Sequence, residues 1–278
     1  MEKSFTQDPE AGGASGVILD ADKMSEAQML RVAQVLGFPE SAFLQRSAIA
    51  DFKLRLFSKK QEVNSCVTAT LAVAHVIAKF HKMRNPSRVV FETKIGIREV
   101  FLRENNLFMM KQPSVEFKEV NADKGEIARL LNIETNQIDD YPIEIASAGT
   151  PKLLIPIKTL EDLSSIKPDL NNIATYSASV GARGFYPFTL QTQNPHSDFH
   201  ARAFNPEDGI AEDPVTGVAA AALAAYLRKH GIISKNRLVG EQGYIINRPG
   251  EIIVEIDGDN NIFVGGYVTD AGEGELEI

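Results

Sequence analysis

The stretch EDPVTGVAAAALAAYLRKHG, residues 212–231, decides how the rest of the chain is read. It opens on two carboxylates, a proline and a Thr-Gly pair. Small and apolar residues follow from Val218 to Leu227, and the stretch closes on Arg228, Lys229, His230 and Gly231. Basic residues in a last turn and a terminal glycine are what a helix C-terminus favours. The body carries no charge before Arg228, so a buried helix is expected rather than an amphipathic surface one. A buried helix whose start follows Asp and Gly offers unpaired N–H groups to an anion. A core helix with a capping turn explains the same residues.

A second copy lies upstream. Residues 62–77 read EVNSCVTATLAVAHVI, again a glutamate, a short polar turn and an apolar run. Glu62 and Glu212 stand at the same distance from the Ala-rich runs that begin at Ala69 and Ala219. Before them, Arg55-Leu56-Phe57 matches Arg202-Ala203-Phe204; after them, the segment from Glu104 to Phe108 matches Asp259 to Phe263. Matches in one order, offset by about half the chain, indicate two homologous halves.

With 278 residues the chain has room for one large or two medium domains, each with a core. No apolar run is long enough to span a membrane. The opening MEKSFTQDPEAGG has no apolar signal core. The single cysteine excludes an internal disulfide and fits a reducing compartment, so a cytoplasmic protein is expected. Net charge is −8 with scattered basic residues, which argues against nucleic acid as a partner. His196, Asp198 and His200 alternate and would share one face of a strand, but a polar strand face is the commoner origin of such a pattern. No metal is expected.

Taken in order, Ser25 to Gln28 has a capping-box pattern, with Met29, Val32, Ala33 and Leu36 on one helical face and Gly37 as the stop. Phe52, Leu54 and Leu56 alternate with Lys53 and Arg55, a strand with one buried face. The first buried helix is expected over Ala69 to Lys82. The charged segment 116–137 is read as a connection plus one helix, and places the domain boundary between 1–117 and 118–278. A return of the last strand to the first lobe is left open. Further strands are expected at Ile143–Ala148, Lys152–Ile157, Ser179–Ala182, Phe185–Gln191, Phe199–Phe204, Tyr244–Asn247, Ile252–Ile256 and Ile262–Tyr267. The class is α+β, with two pseudosymmetric lobes, each a curved sheet or half-barrel around a central buried helix.

Several segments together carry a resemblance. They are Phe5-Thr6 with Gly12 to Leu19, Phe38-Pro39-Glu40-Ser41-Ala42-Phe43, Arg202 to Pro206 with Glu212 to Gly217, Gly240-Glu241-Gln242-Gly243, and Asn247-Arg248-Pro249-Gly250. In this combination the chain resembles the phenazine-biosynthesis isomerase family, the PhzF-like proteins, which share the diaminopimelate epimerase fold. The resemblance implies a ligand cleft between the lobes, with a substrate carboxylate at the N-termini of both central helices. It implies Glu40 as the acid/base and Asp213 as a polar partner. Substrate-binding positions would be Cys66, Val67 and Thr68 on one helix, and Thr216, Gly217 and Val218 on the other. The family's chemistry moves a proton between carbons of a cyclohexadiene amino acid without metal or cofactor, and the resemblance suggests a homodimer.

Two departures fall in the implied site. The family's Cys-Gly-His is Cys66-Val67-Thr68 here, and its serine after Thr-Gly is Val218. A carboxyl at Glu40 in a site of low polarity would have a raised pKa and could shuttle a proton. Asp213 is also read as a cap for a helix beginning near Val215. Cys66 is read as a buried structural cysteine, since its counterpart Thr216 excludes a two-thiol racemase. His75 is read as a satisfied core residue. The leading expectation is an isomerase or epimerase acting on a small carboxylated metabolite, and the alternative is a catalytically silent relative that binds a metabolite or a protein.

Overall fold

The computed structural model describes residues 1–84 and 87–275. The chain forms two compact units, Met1–Lys111 with Gly265–Ile278, and Gln112–Val264. Residues 276–278, the end of the second segment expected from sequence, lie outside the described residues.

The first unit contains β1 (Glu2–Ser4), β2 (Gly13–Ile18), α1 (Glu26–Leu36), β3 (Glu40–Gln45), β4 (Phe52–Ser58), β5 (Glu62–Val63), α2 (Val67–Phe80), β6 (Ser87–Thr93), β7 (Gly96–Arg103) and β8 (Leu107–Lys111). β2 runs antiparallel to β1 and parallel to β3, and β4 runs antiparallel to β3 and parallel to β6. Strands β6 to β8 are an antiparallel meander. The capping box of α1 is present: Ser25 Oγ accepts from Gln28 N, and the Gln28 side chain accepts from Ser25 N at 2.9 Å. Gly37 ends that helix at φ 74°, a conformation that costs glycine little. Met29, Val32 and Ala33 bury its inner face against Phe43 and Phe57.

The second unit contains β9 (Glu116–Glu119), α3 (Lys124–Leu131), β10 (Glu144–Ser147), β11 (Pro151–Pro156), α4 (Leu160–Ser165), α5 (Leu170–Val180), β12 (Phe185–Thr189), β13 (Phe199–Ala201), β14 (Ala203–Asn205), β15 (Ile210–Asp213), α6 (Gly217–Lys229), β16 (Arg237–Gln242), β17 (Gly250–Ile256) and the start of β18 (Ile262–Asp270). β10 lies antiparallel to both β9 and β11, and β11 is parallel to β12. β13 bridges β12 and β16, while β14 and β15 form a short hairpin. The far part of β18 belongs to the first unit, where Val268, Thr269 and Asp270 pair with β1.

Each unit encloses one Ala-rich helix. In α2 the residues from Ala69 to Ala78 are buried, and α6 is buried at Ala219 to Ala224, Tyr226 and Leu227. Small side chains let strands approach such helices closely, and each fully buried Leu, such as Leu71 or Leu223, contributes about 1.5–3 kcal/mol. The basic last turns are anchored. Lys79 Nζ donates to Asp270 at 2.9 Å, and Lys229 Nζ donates to Glu144 at 2.8 Å.

Three expectations are corrected. Ser179–Ala182 is not a strand: Ser179 and Val180 end α5, and Gly181 caps it at φ 83°. Its inward face is formed by Ile173 and Ser177, too polar a stripe to announce a helix. Tyr244–Asn247 is a single 3₁₀ turn between Gly243 and Asn247, both left-handed. The segment 116–137 holds the strand β9 besides its helix, because β10 offers Glu116 to Glu119 a pairing edge. The described residues form a mixed α/β structure with six α-helices, and none of these is long and apolar enough to cross a membrane.

Candidate functional site

In the first unit Glu40 is the opening residue of β3, half-buried, with Ser15 on one side of the ladder and Ser58 on the other. Ladder partners face the same way, so Ser15 shares the Glu40 face. The Ser15 hydroxyl is fully buried without a hydrogen-bond partner. Helix α2 packs on β2 and β3. Cys66 is its N-cap, not a core residue: the residue is half-buried and Sγ accepts from Ala69 N at 3.4 Å. Val67 is buried and Thr68 half-buried. The Thr68 carbonyl accepts the hydroxyl of Ser4 at 2.9 Å, so β1 holds the first turn of the helix.

In the second unit the polar residues before α6 form one network. Thr216 Oγ1 donates to Asp213 Oδ2 at 2.7 Å. Gln242, buried at the end of β16, donates through Nε2 to the Asp213 carbonyl at 2.7 Å and to Thr216 Oγ1 at 3.0 Å. Its Oε1 accepts from Tyr186 Oη at 3.1 Å and from Thr216 N at 3.3 Å. Asp213 therefore does not cap the helix, which starts at Gly217, two residues later than expected. Its carboxyl takes the Thr216 hydroxyl and the Val215 N–H instead. Gly243 holds the turn after Gln242 at φ 86°, where a Cβ would lie 2.2 Å from the Arg248 carbonyl and 2.6 Å from that of Pro214. Gly217 is buried and Val218 half-buried at the helix start, where N–H groups have no partner within the helix.

Electrostatics single out Asp213. Burial pushes its carboxyl above the ordinary range, against the Thr216 hydrogen bond and the charges of Lys152 and Arg248. Lys152 is a buried cation whose Nζ donates to the Arg183 carbonyl and to Asn205 Oδ1. Burial, and secondarily the Asp213 charge, pushes the Tyr186 phenol up, so it stays a donor. By contrast the two glutamates of the repeat are structural. Arg55 meets Glu62 at 2.8 and 2.9 Å, and its hydrogen bond holds the Glu62 carboxyl low.

The remaining sequence candidates go elsewhere. His200 Nδ1 lies 2.9 Å from Glu241 Oε2 in the interior, Asp198 binds Lys235 and the Val239 N–H, and His196 is exposed. These three side chains do not converge. His75 is buried with Nδ1 2.9 Å from Glu2 Oε2, a satisfied core residue. Sequence reading missed Tyr186, Lys152 and the role of Gln242. Gln242 sat within the quoted Gly240 to Gly243 stretch, but nothing local ties it to residues 26 and 29 positions upstream.

A family model, "Phenazine biosynthesis-like protein", matches residues 3–268. The chain is 33% identical to "Uncharacterized isomerase YddE" of Escherichia coli K12, over 91% of this chain and 88% of that protein. It is 26% identical to a trans-2,3-dihydro-3-hydroxyanthranilate isomerase of Pseudomonas fluorescens, over 92% and 88%. A crystal structure of a PhzF-family phenazine biosynthesis protein from Bacillus anthracis superposes with a TM-score of 0.91 at 28% identity, covering 100% of this chain and 97% of that one. A hydroxyproline epimerase from Agrobacterium vitis shares the fold alone, at a TM-score of 0.57 and 13% identity over 88% and 76%. The chain belongs to the phenazine biosynthesis-like (PhzF) family.

Proposed function

We propose that this chain is a cofactor-independent isomerase or epimerase that moves a proton between carbon atoms of a small carboxylated metabolite. Glu40 takes the proton from one carbon and returns it to another, and Asp213 orients the polar end of the substrate. Helix-start N–H groups at Val67–Thr68 and Gly217–Val218, flanked by Cys66 and Thr216, receive the carboxylate. The observation that carries this reading is the Asp213 network. A carboxyl raised by burial, yet held by a directed hydroxyl, marks a functional site and costs stability if it has no task. Support also comes from the relatives, several of which are named isomerases.

The two units are read as duplicated halves with pseudosymmetric half-barrels, on the strength of their matched Arg-Glu pairs. A cytoplasmic homodimer is part of the same reading. A relative that binds a metabolite or protein without turnover competes with it, because Thr68 and Val218 bring neither imidazole nor hydroxymethyl to the helix starts.

Incubation in deuterated water with a panel of amino acids and cyclic carboxylates tests the proposal. Deuterium entering carbon-bound positions of one panel member supports it. A ligand that raises Tm without any incorporation favours the silent relative.

A further inference from the structure

We infer that Gln242 is a positioning residue for the proposed reaction: its amide sets the direction of a hydrogen-bond chain that ties one oxygen of Asp213 to Thr216, leaving the other for the polar end of the substrate. The orientation of the amide is determined by its partners. The Thr216 backbone N–H can only donate and the Asp213 carbonyl can only accept, so Oε1 faces the first and Nε2 the second. Both protons of Nε2 and both lone pairs of Oε1 are then engaged, at 2.7 and 3.0 Å and at 3.1 and 3.3 Å. The residue is 1% exposed, so water does not compete.

The consequence passes to Thr216. Nε2 has no lone pair, so Thr216 Oγ1 must accept from it, and the one hydroxyl proton is left to donate to Asp213 Oδ2 at 2.7 Å. In this arrangement Oδ2 is the acceptor of the Thr216 hydroxyl. The chain thereby favours Oδ1 for the titrating proton. Without Gln242 the Thr216 hydroxyl is free to turn away, and the carboxylate loses its most direct stabilising contact. Tyr186 completes the chain from the far side by fixing the amide.

This inference rests on Asp213 as a group that meets substrate, but its test reads Asp213 directly and needs no substrate. Protein labelled with ¹³C at the aspartate carboxyls is titrated by NMR, with the Asp213 resonance assigned by its loss in Asp213→Asn. Gln242→Met and Thr216→Val are each expected to move the Asp213 midpoint to higher pH. In the double variant Gln242→Met should add little, because it acts through Thr216. An unmoved midpoint in Gln242→Met, or an equal shift in both backgrounds, overturns the inference. If Gln242→Met does not fold, the unsubstituted protein decides. Its Thr216 hydroxyl proton should appear as an exchange-slowed resonance close to Asp213, and its absence counts against the chain. Failure of solvent exchange with an intact titration pattern would remove the proposed function and leave the positioning role of Gln242 toward Asp213 in place.

Discussion

Arg202 and Glu212 meet in a two-point ion pair, Nε to Oε1 at 2.9 Å and Nη2 to Oε2 at 2.8 Å, with the guanidinium 5.0 Å from the centre of the Phe204 ring. Arg55 and Glu62 repeat the arrangement in the other unit, with Phe57 at 5.1 Å. An arginine fork bound to a carboxylate and stacked on an aromatic face ties the strand before each Ala-rich helix to the residue that opens the approach to it. The repeated sequence is thus a repeated interaction.

The two pairs differ in what else the arginine does, which gives unequal costs of removal. Arg202 is 4% exposed and also donates to the carbonyls of Leu163 at 3.1 Å and Ile166 at 2.9 Å, holding the end of α4. Arg55 reaches the exposed Glu26 instead. Arg202→Met should destabilise by about 3–5 kcal/mol, the range for breaking a buried pair. Arg55→Met should cost about 1–3 kcal/mol, closer to the loss of charged hydrogen bonds. Urea denaturation of the two variants checks the order, and an equal or inverted ranking would show that the carbonyl contacts of Arg202 contribute nothing.

Asp213 should make the protein less stable at neutral pH than it could be. Its carboxyl is raised in the folded state, chiefly by burial, so the folded protein binds that proton more tightly than the unfolded chain. Stability is lost as pH rises through the interval from the unfolded value, near about 4, to the folded one. Asp213→Asn carries no charge at any pH and should raise Tm at pH 7, with the gain vanishing in acid below the unfolded value. Thermal melts of both proteins across pH check the sign. A neutral-pH loss in the variant would mean that Asp213 holds the structure together.

The thiol of Cys66 is expected to matter to the helix and not to chemistry. Sulfur is a weak acceptor, so its 3.4 Å bond to Ala69 N is a poor cap, and serine makes a better one. Cys66→Ser should match or exceed the unsubstituted protein in Tm, while Cys66→Ala should cost about 0.5–1 kcal/mol. Loss of solvent exchange in both variants would instead assign the thiol to the reaction.

Much of the scaffold was legible because its signals are local. The capping box at Ser25, the glycine stop at Gly37 and the charge-free bodies of α2 and α6 each lie within a few residues. Helix α5 was not, since its buried Ser177 and its asparagines give a weak apolar stripe, and tertiary packing of Ile173 and Tyr176 makes up the difference. The candidate site divides the same way. Asp213, Thr216 and Gly217 stand together in sequence. Tyr186 and Gln242 are brought to them by strand pairing, β12 with β13 and β13 with β16, which no short motif encodes.

The most direct test compares solvent-proton exchange by the unsubstituted protein, Glu40→Gln and Cys66→Ala on a panel member that exchanges. Glutamine is close to isosteric with glutamate but cannot take a proton from carbon, and a positioned acid/base typically contributes about 10²–10⁴-fold in rate. The proposed function predicts that Glu40→Gln folds, still gains Tm from the ligand, and loses exchange by at least about 10²-fold, with Cys66→Ala near the unsubstituted rate. Exchange that survives in Glu40→Gln, or that is absent from the unsubstituted protein throughout the panel, would contradict it.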